Sequence, residues 1–124
     1  MNYRRPLTIV TLLLLGTVRA LAADITGTWK ASFDTQIGTQ NYTYEFVVKG
    51  TTLTGKLQSD MGGGGEIKQG KVEGDKVSFV ETFKFEGNEI QITYTGTIAS
   101  NDEIKFTRQV ADFATEELVA KRLK

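Results

Sequence analysis

Three polar residues could do chemistry inside this protein. The alternation of apolar and polar residues along the predicted strands places Glu81, Tyr94 and Arg108 on the inward face. Glu81 alternates with phenylalanines in the segment VSFVETFKF, and residues two apart share one face of a strand. Tyr94 and Arg108 occupy inward positions of the next two predicted strands. The sequence therefore predicts a row of acid, hydroxyl and base within an otherwise apolar interior.

Two turns define this row. A two-residue turn at residues 87–88 pairs Glu81 with Tyr94. A three-residue turn at residues 100–102 pairs Tyr94 with Arg108. In both predicted hairpins, the apolar residues stay on one face of the sheet.

A buried carboxylate without a partner costs several kcal/mol or stays protonated. One interpretation of the row is a site that orients the polar end of a small ligand. The other is a satisfied ion pair with a structural role alone. A glycosidase needs two carboxylates across its sugar site, and Glu81 is the only acid that the pattern turns strongly inward. We therefore predict no catalytic residues and keep a small glycoside hydrolase as an alternative.

The composition excludes several kinds of site. The chain has no cysteine and no histidine, so disulfides, Cys/His zinc sites and Ser-His-Asp catalysis are impossible. The acidic residues lack the spacing of a calcium loop. We expect neither a metal nor a cofactor.

The first 22 residues have the form of a secretory signal peptide. Arg4 and Arg5 precede an apolar run over residues 7–16, and Ala20-Leu21-Ala22 is a cleavage site of the A-x-A type. The apolar run is too short to span a membrane. We predict a secreted or periplasmic protein with one domain over residues 23–124. Cleavage removes three arginines and no acidic residue, so the mature chain is slightly acidic and nucleic acid is not an expected partner.

Seven runs of alternating apolar and polar residues follow the leader, separated by Gly, Asn and Asp. The fourth run is irregular and predicts a bulge at Gly70. Residues 34–41 and 60–65 are expected to be the longest loops. The tail, residues 117–123, is interpreted as a closing eighth strand, with a helix as the alternative. The predicted fold is all-β: a single antiparallel up-and-down barrel of about eight strands.

The first strand carries Gly27-x-Trp29, in ITGTW, and LTGKLQS follows later. These residues resemble the G-x-W signature of the calycin barrels: lipocalins, fatty-acid-binding proteins and avidins. The chain also resembles small secreted bacterial modules, some of them found beside glycoside-processing domains. The resemblance implies that Trp29 lies at the closed end of the barrel against a basic residue near the end of the last strand, here Arg122. It does not imply biotin binding, because avidins use several tryptophans and this chain has one.

Fatty-acid-binding proteins hold a ligand carboxylate with interior arginine and tyrosine, which Arg108 and Tyr94 resemble in chemistry. The leading prediction is noncatalytic binding of a small apolar or amphipathic ligand, with Glu81, Tyr94 and Arg108 as ligand-binding residues. A carbohydrate-associated module with a saccharide ligand is the alternative, and a structural or interaction barrel with a filled core is the third. Oligomeric state does not follow from the sequence.

Overall fold

Alternation of buried and exposed side chains runs through the long strands of the computed structural model, which describes residues 24–124. In the second strand Tyr42, Tyr44 and Phe46 are buried, whereas Asn41 and Glu45 are exposed. Aromatic and β-branched residues in this period suit a sheet with one buried face. The predicted signal peptide lies outside the described residues.

The strands follow one another around a closed antiparallel sheet. They are β1 (Gly27–Thr35), β2 (Gly38–Lys49), β3 (Thr52–Ser59), β4 (Gly64–Glu66), β5 (Lys68–Glu73), β6 (Lys76–Phe85), β7 (Asn88–Ser100), β8 (Glu103–Val110) and β9 (Ala114–Arg122). Strands β4 and β5 share one position in the barrel, and pairing of β2 with β3 completes the closure. The predicted all-β, eight-strand antiparallel barrel is confirmed. Among residues 24–124, no helix is long and apolar enough to cross a membrane.

The register of β5 confirms the predicted irregularity around Gly70. The pairing of β5 with β6 shifts register between Lys68 and Lys71. A Cβ atom at Gly70 would lie 2.1 Å from the carbonyl oxygen of Leu53. Glycine is therefore needed where the bulged strand approaches its neighbour.

The tail forms β9 and pairs along its length with β8. The predicted closing strand is therefore confirmed, and the alternative of a helix is wrong. Leu118 and Ala120 are buried on its inner face. By contrast, the predicted long loop at residues 34–41 is wrong. Strands β1 and β2 continue to Thr35 and Gly38, joined by a two-residue turn, and Gly38 adopts a φ of 111° that favours glycine.

The up-and-down order places the turns at two ends of the barrel. We call one end the floor, with turns at residues 50–51, 74–75 and 101–102. We call the other end the mouth, with turns at residues 36–37, 60–63, 86–87 and 111–113.

Aromatic side chains fill the middle and lower interior. The largest side chains that are almost completely inaccessible include Trp29, Tyr44, Phe46, Phe79, Tyr94 and Phe106. Phe79 and Tyr94 stack with ring centroids 4.3 Å apart. Phe46 pairs with Gly55. Gly96 pairs with Phe106, whose ring covers it.

The structure places Arg122 over Trp29 at the floor. The guanidinium carbon lies 4.6 Å from the centroid of the indole ring, within the range of a favourable cation–π contact. The indole Nε1 donates a hydrogen bond to the carbonyl oxygen of Ile25 at 2.9 Å. The tryptophan thus has both an apolar environment and a partner for its only polar atom.

Arg122 also binds the chain segments around the floor. Its Nε donates to the carbonyl oxygen of Asn101, and one terminal nitrogen donates to that of Thr26, both at 2.8 Å. A Cβ atom at Gly27 would lie 2.9 Å from that same terminal nitrogen. The spacing in Gly27-x-Trp29 therefore has a physical reason: the glycine leaves room for the guanidinium that stacks on the tryptophan.

We expect Gly27→Ala to lower the free energy of unfolding by about 1 kcal/mol more than Gly38→Ala, because the guanidinium that the new methyl group displaces is held by two carbonyl oxygens and the indole ring. Both glycines have a left-handed φ, but a Cβ atom at Gly38 meets nothing within 4 Å. Urea titrations of the two variants measure the difference. Adding Arg122→Ala should remove the excess cost of Gly27→Ala, and equal costs in the two single variants would contradict this account.

Candidate functional site: a polar cluster beneath the mouth

The β6–β7 turn differs from the predicted one and changes the register of the row. The turn residues are Glu86 and Gly87, with φ angles of 51° and 83°, so both adopt the left-handed conformation that a type I′ turn requires. The predicted turn at residues 87–88 is therefore wrong.

With this turn, Phe79 pairs with Tyr94, and Glu81 pairs with Ile92. The predicted pairing of Glu81 with Tyr94 is wrong by two residues. Because strand side chains alternate with a period of two, this shift leaves every residue on its predicted face. The predicted pairing of Tyr94 with Arg108 is confirmed.

The structure nevertheless brings the three predicted residues together through their side chains. The Nε of Arg108 donates to the hydroxyl of Tyr94 at 3.0 Å, and that hydroxyl donates to Oε1 of Glu81 at 3.2 Å. A terminal nitrogen of Arg108 lies 3.5 Å from the same carboxylate oxygen. All three side chains are buried.

Three further residues, which sequence reasoning missed, complete this polar cluster. The hydroxyl of Tyr42 donates to Oε2 of Glu81 at 2.8 Å and accepts from Arg108 at 2.9 Å. Glu116 forms an ion pair with Arg108 at the less buried edge of the cluster. The hydroxyls of Tyr44 and Tyr94 are 3.0 Å apart.

The parity of the tyrosines and the hairpin position of Glu116 are sequence signals that could have identified these residues. Tyr42 and Tyr44 share the parity of Phe46, and both are buried on the inner face of β2. Glu116 lies opposite Arg108 in the β8–β9 hairpin. It was missed because the predicted closing strand began at residue 117, so the prediction of Glu81 as the only inward acid is also wrong.

Burial and neighbouring charges shift the pKa values of Glu81 and Arg108 in opposite directions. Burial raises the pKa of Glu81, and the positive charge of Arg108 with hydrogen bonds from the two tyrosines offsets part of that rise. Burial lowers the pKa of Arg108, but its interactions with Tyr94, Tyr42 and Glu81 outweigh burial and raise it overall. Arg108 is therefore a permanent cation. Its guanidinium carbon lies 5.3 Å and 5.1 Å from the ring centroids of Phe33 and Tyr42.

The hydrogen-bonding capacity of the cluster is used internally. Within residues 24–124, every buried side-chain nitrogen and oxygen has a hydrogen-bond partner. Arg108 binds two carboxylates and two hydroxyls, so it differs from an interior arginine that waits for a ligand carboxylate. Over the same described residues, no group of three or more acidic side chains is placed to hold a metal ion.

Above the cluster, each of the four mouth turns, or the residue beside it, presents one large exposed apolar side chain. These are Ile37 and Phe113, each 66% exposed, Phe85 at 55% and Met61 at 49%. The turns of the floor carry no such side chain among the described residues, although Leu123 follows β9 there. The apolar exposure of the connecting segments is therefore concentrated at the mouth.

Two aromatic side chains, Phe83 and Phe85, line the mouth at the end of β6. The rings of Phe83 and Phe85 stack with centroids 6.4 Å apart. Phe83 covers Gly63, at the end of the neighbouring β3–β4 turn, because a Cβ atom at that glycine would lie 3.3 Å from the ring. Phe83 and Ile90 are half-buried and pair with each other on the inner face.

Two solved structures resemble this barrel. One is a redesigned β-barrel, mFAP1, bound to DFHBI: its TM-score is 0.58 at 18% identity, over 80% of this chain and 94% of that one. The other is a redesigned β-barrel, b11L5F_LGL, with a TM-score of 0.58 at 21% identity, over 81% of this chain and 91% of that one. The likeness is in the fold. No protein-family model matches the chain, and neither does any curated protein.

We expect Arg108→Met to lower the free energy of unfolding by about 3 kcal/mol at neutral pH, because it leaves Glu81 buried without its cation. The double variant with Glu81→Leu should recover much of that loss. Urea denaturation of the two single variants and the double variant measures the coupling. Lys121→Met, which removes an exposed ion pair with Glu103, is the control and should lower the free energy of unfolding far less. An unaltered stability in Arg108→Met would overturn the assigned cluster.

The raised pKa of Glu81 predicts a pH dependence that Glu81→Gln removes. Between the ordinary pKa of 4.5 and the raised pKa of the folded state, the folded protein keeps a proton that the unfolded chain loses. The stability of the wild type relative to Glu81→Gln should therefore fall as the pH rises above about 4.5. Urea titrations of both proteins from pH 4 to pH 8 test this, since the carboxylates that do not contact Arg108 cancel in the difference. A difference that is independent of pH would contradict the prediction.

Proposed function

We propose that this chain is a secreted or periplasmic, noncatalytic binding protein for a small apolar or amphipathic ligand, which it takes up at the mouth of the barrel. The observation that carries the proposal is the ring of four exposed apolar side chains, one at each mouth turn: Ile37, Met61, Phe85 and Phe113. Exposed apolar residues that are concentrated in this way are typical of binding surfaces.

The floor is an unsuitable entrance for a ligand. Trp29 is buried there under Arg122, which binds backbone carbonyl groups of the N-terminal segment and of the β7–β8 turn. Aromatic rings fill the space above the tryptophan, and an eight-strand barrel has little interior beyond what side chains occupy. These features favour a ligand that rests in the upper barrel and between the mouth turns.

The polar cluster supports an amphipathic ligand. Glu81 and Tyr94 lie beneath the mouth and hold Arg108 in place. The ion pair of Arg108 with Glu116 is the less buried edge of the cluster. In this proposal, the polar end of the ligand meets that edge while its apolar part contacts the mouth side chains.

A noncatalytic role fits the arrangement of the acids. Glu81 and Glu116 both bind the same guanidinium, which serves charge neutralisation better than proton transfer. The similar barrel mFAP1 was solved with the small molecule DFHBI bound, so barrels of this architecture accommodate small ligands. Export rests on the leader over residues 1–22.

A structural or interaction barrel with a filled core is the second candidate. It is favoured by the complete internal pairing of the buried polar atoms among residues 24–124. The two candidates differ in one observable property, which is whether the mouth takes up a small molecule.

Nile red, an uncharged apolar dye, tests this difference. We expect it to bind with increased fluorescence and to raise the melting temperature, because a ligand that binds the native state stabilises it. Phe85→Ser and Phe113→Ser should each weaken dye binding about threefold to tenfold, since each removes apolar contact area. Val47→Ser is the matched control, because Val47 is 41% exposed in β2 and away from the mouth turns.

The protein for this assay is taken from the exported fraction, where the intact mass should correspond to a chain that begins at Ala23. A full-length mass in the cytosol would contradict the proposed export. Failure of Nile red to bind, or equal loss in Val47→Ser and the mouth variants, would favour the filled barrel.

A further inference from the structure

The charges around the mouth are unbalanced. Counting each mouth turn with two residues on either side, the acidic residues are Asp34, Asp60, Glu86, Glu89 and Asp112, and Lys84 is the single base. All of these side chains are exposed. Lys84 pairs across the hairpin with Glu89, so its charge has a local acidic neighbour. The mouth therefore presents negative charge beside its apolar side chains.

The floor lacks this imbalance. Counted in the same way, its turns carry the bases Lys49 and Lys76 against the acids Glu73, Asp75, Asp102 and Glu103. The segments before β1 and at the end of β9 add the acid Asp24 and the bases Lys121, Arg122 and Lys124. Lys121 and Lys124 form ion pairs with Glu103 and Asp102. Acidic and basic residues are thus mixed at the floor, whereas the mouth is acidic.

The polar cluster beneath the mouth also carries more acidic than basic groups. It contains two carboxylates, Glu81 and Glu116, for one guanidinium, that of Arg108. Arg108 already lies near the rings of Phe33 and Tyr42. Arg108 occupies those rings, but the rings of Phe85 and Phe113 at the mouth are exposed. The upper barrel and its mouth therefore have two properties that suit a cation: an excess of carboxylates, and free aromatic rings beside them.

We infer that the ligand of the mouth is an amphipathic cation, with an ammonium or similar positive group attached to an apolar body. This inference rests on the proposed function and names the ligand class. The apolar body contacts Phe85, Phe113 and their neighbours, and the positive group faces the mouth carboxylates and the edge at Glu116. A ligand carboxylate is disfavoured, because Arg108 is occupied and the surrounding acids repel an anion.

Three amphiphiles with the same ten-carbon chain test the charge: decyltrimethylammonium, decyl sulfate and decyl maltoside, each below its micelle concentration. Isothermal titration calorimetry should show the ammonium compound binding about threefold to tenfold more tightly than the sulfate. The preference should decrease as sodium chloride is raised, because salt screens exposed charges. Amide shifts in NMR spectra should concentrate in the mouth turns.

The matched variants are a mouth set, Glu86→Gln with Glu89→Gln and Asp112→Asn, and a floor set, Glu73→Gln with Asp75→Asn and Asp102→Asn. Each neutralises three carboxylates. The mouth set should reduce or remove the preference for the ammonium compound and leave binding of the maltoside unchanged. The floor set should change neither.

The outcomes separate the two proposals. Sulfate binding at the mouth as tight as ammonium binding would overturn the cationic ligand and leave the binding function standing. No binding of any of the three amphiphiles would overturn the binding function. Two further measurements complete the test. Self-association through the mouth, seen by sedimentation velocity, would replace the small ligand by a second copy of the chain. Pelleting with zwitterionic vesicles, without binding to monomeric amphiphiles, would replace it by a membrane surface.

Discussion

The burial of one positive charge constrains the upper half of this barrel. Arg108 lies within a sheet whose other interior residues are mostly apolar, and an unpaired ion there would cost several kcal/mol. Its N–H groups donate four hydrogen bonds, three of them to Glu81 on β6, Tyr94 on β7 and Glu116 on β9. Tyr42 on β2 adds an acceptor from the other side of the barrel. One guanidinium thus holds strands together that are distant in sequence.

The two interior ends are organised differently around their arginines. At the floor, Arg122 binds backbone carbonyl groups and covers Trp29 from the solvent side, so its charge remains partly hydrated. In the upper barrel, Arg108 binds side-chain carboxylates and hydroxyls and is buried. The first arrangement closes an end by packing. The second neutralises charge beneath an end whose turns carry exposed apolar side chains.

Much of the fold could be predicted from the sequence because period-two alternation and closure are strong constraints. The spacing of Tyr42, Tyr44 and Phe46 at every second position indicates their common face. Seven antiparallel strands would leave two unpaired edges, and an eighth strand formed by the tail pairs with both of them. The β6–β7 register was missed because Glu86 adopts a left-handed conformation that favours glycine or asparagine. A turn at residues 87–88 satisfied the sequence rule equally well.

The candidate site was predicted in part for a related reason. Parity identified Glu81, Tyr94 and Arg108 as inward residues, and this does not depend on register. Contacts across the barrel, such as that of Tyr42 with Glu81, join strands that are not neighbours and leave no signal in local pairing. The grouping of Ile37, Met61, Phe85 and Phe113 at one end is likewise invisible along the chain, because it follows from the up-and-down order of the strands.

The position of the single tryptophan has a practical consequence. Trp29 is buried at the floor, and the mouth turns are at the opposite end of the barrel. Its emission reports on the environment of the floor, and the ligand proposed for the mouth would bind at the opposite end of the barrel. The protein therefore carries an intrinsic optical probe of unfolding that is separated in space from the region where ligand uptake would be observed, so the two processes can be followed in one sample by two independent signals.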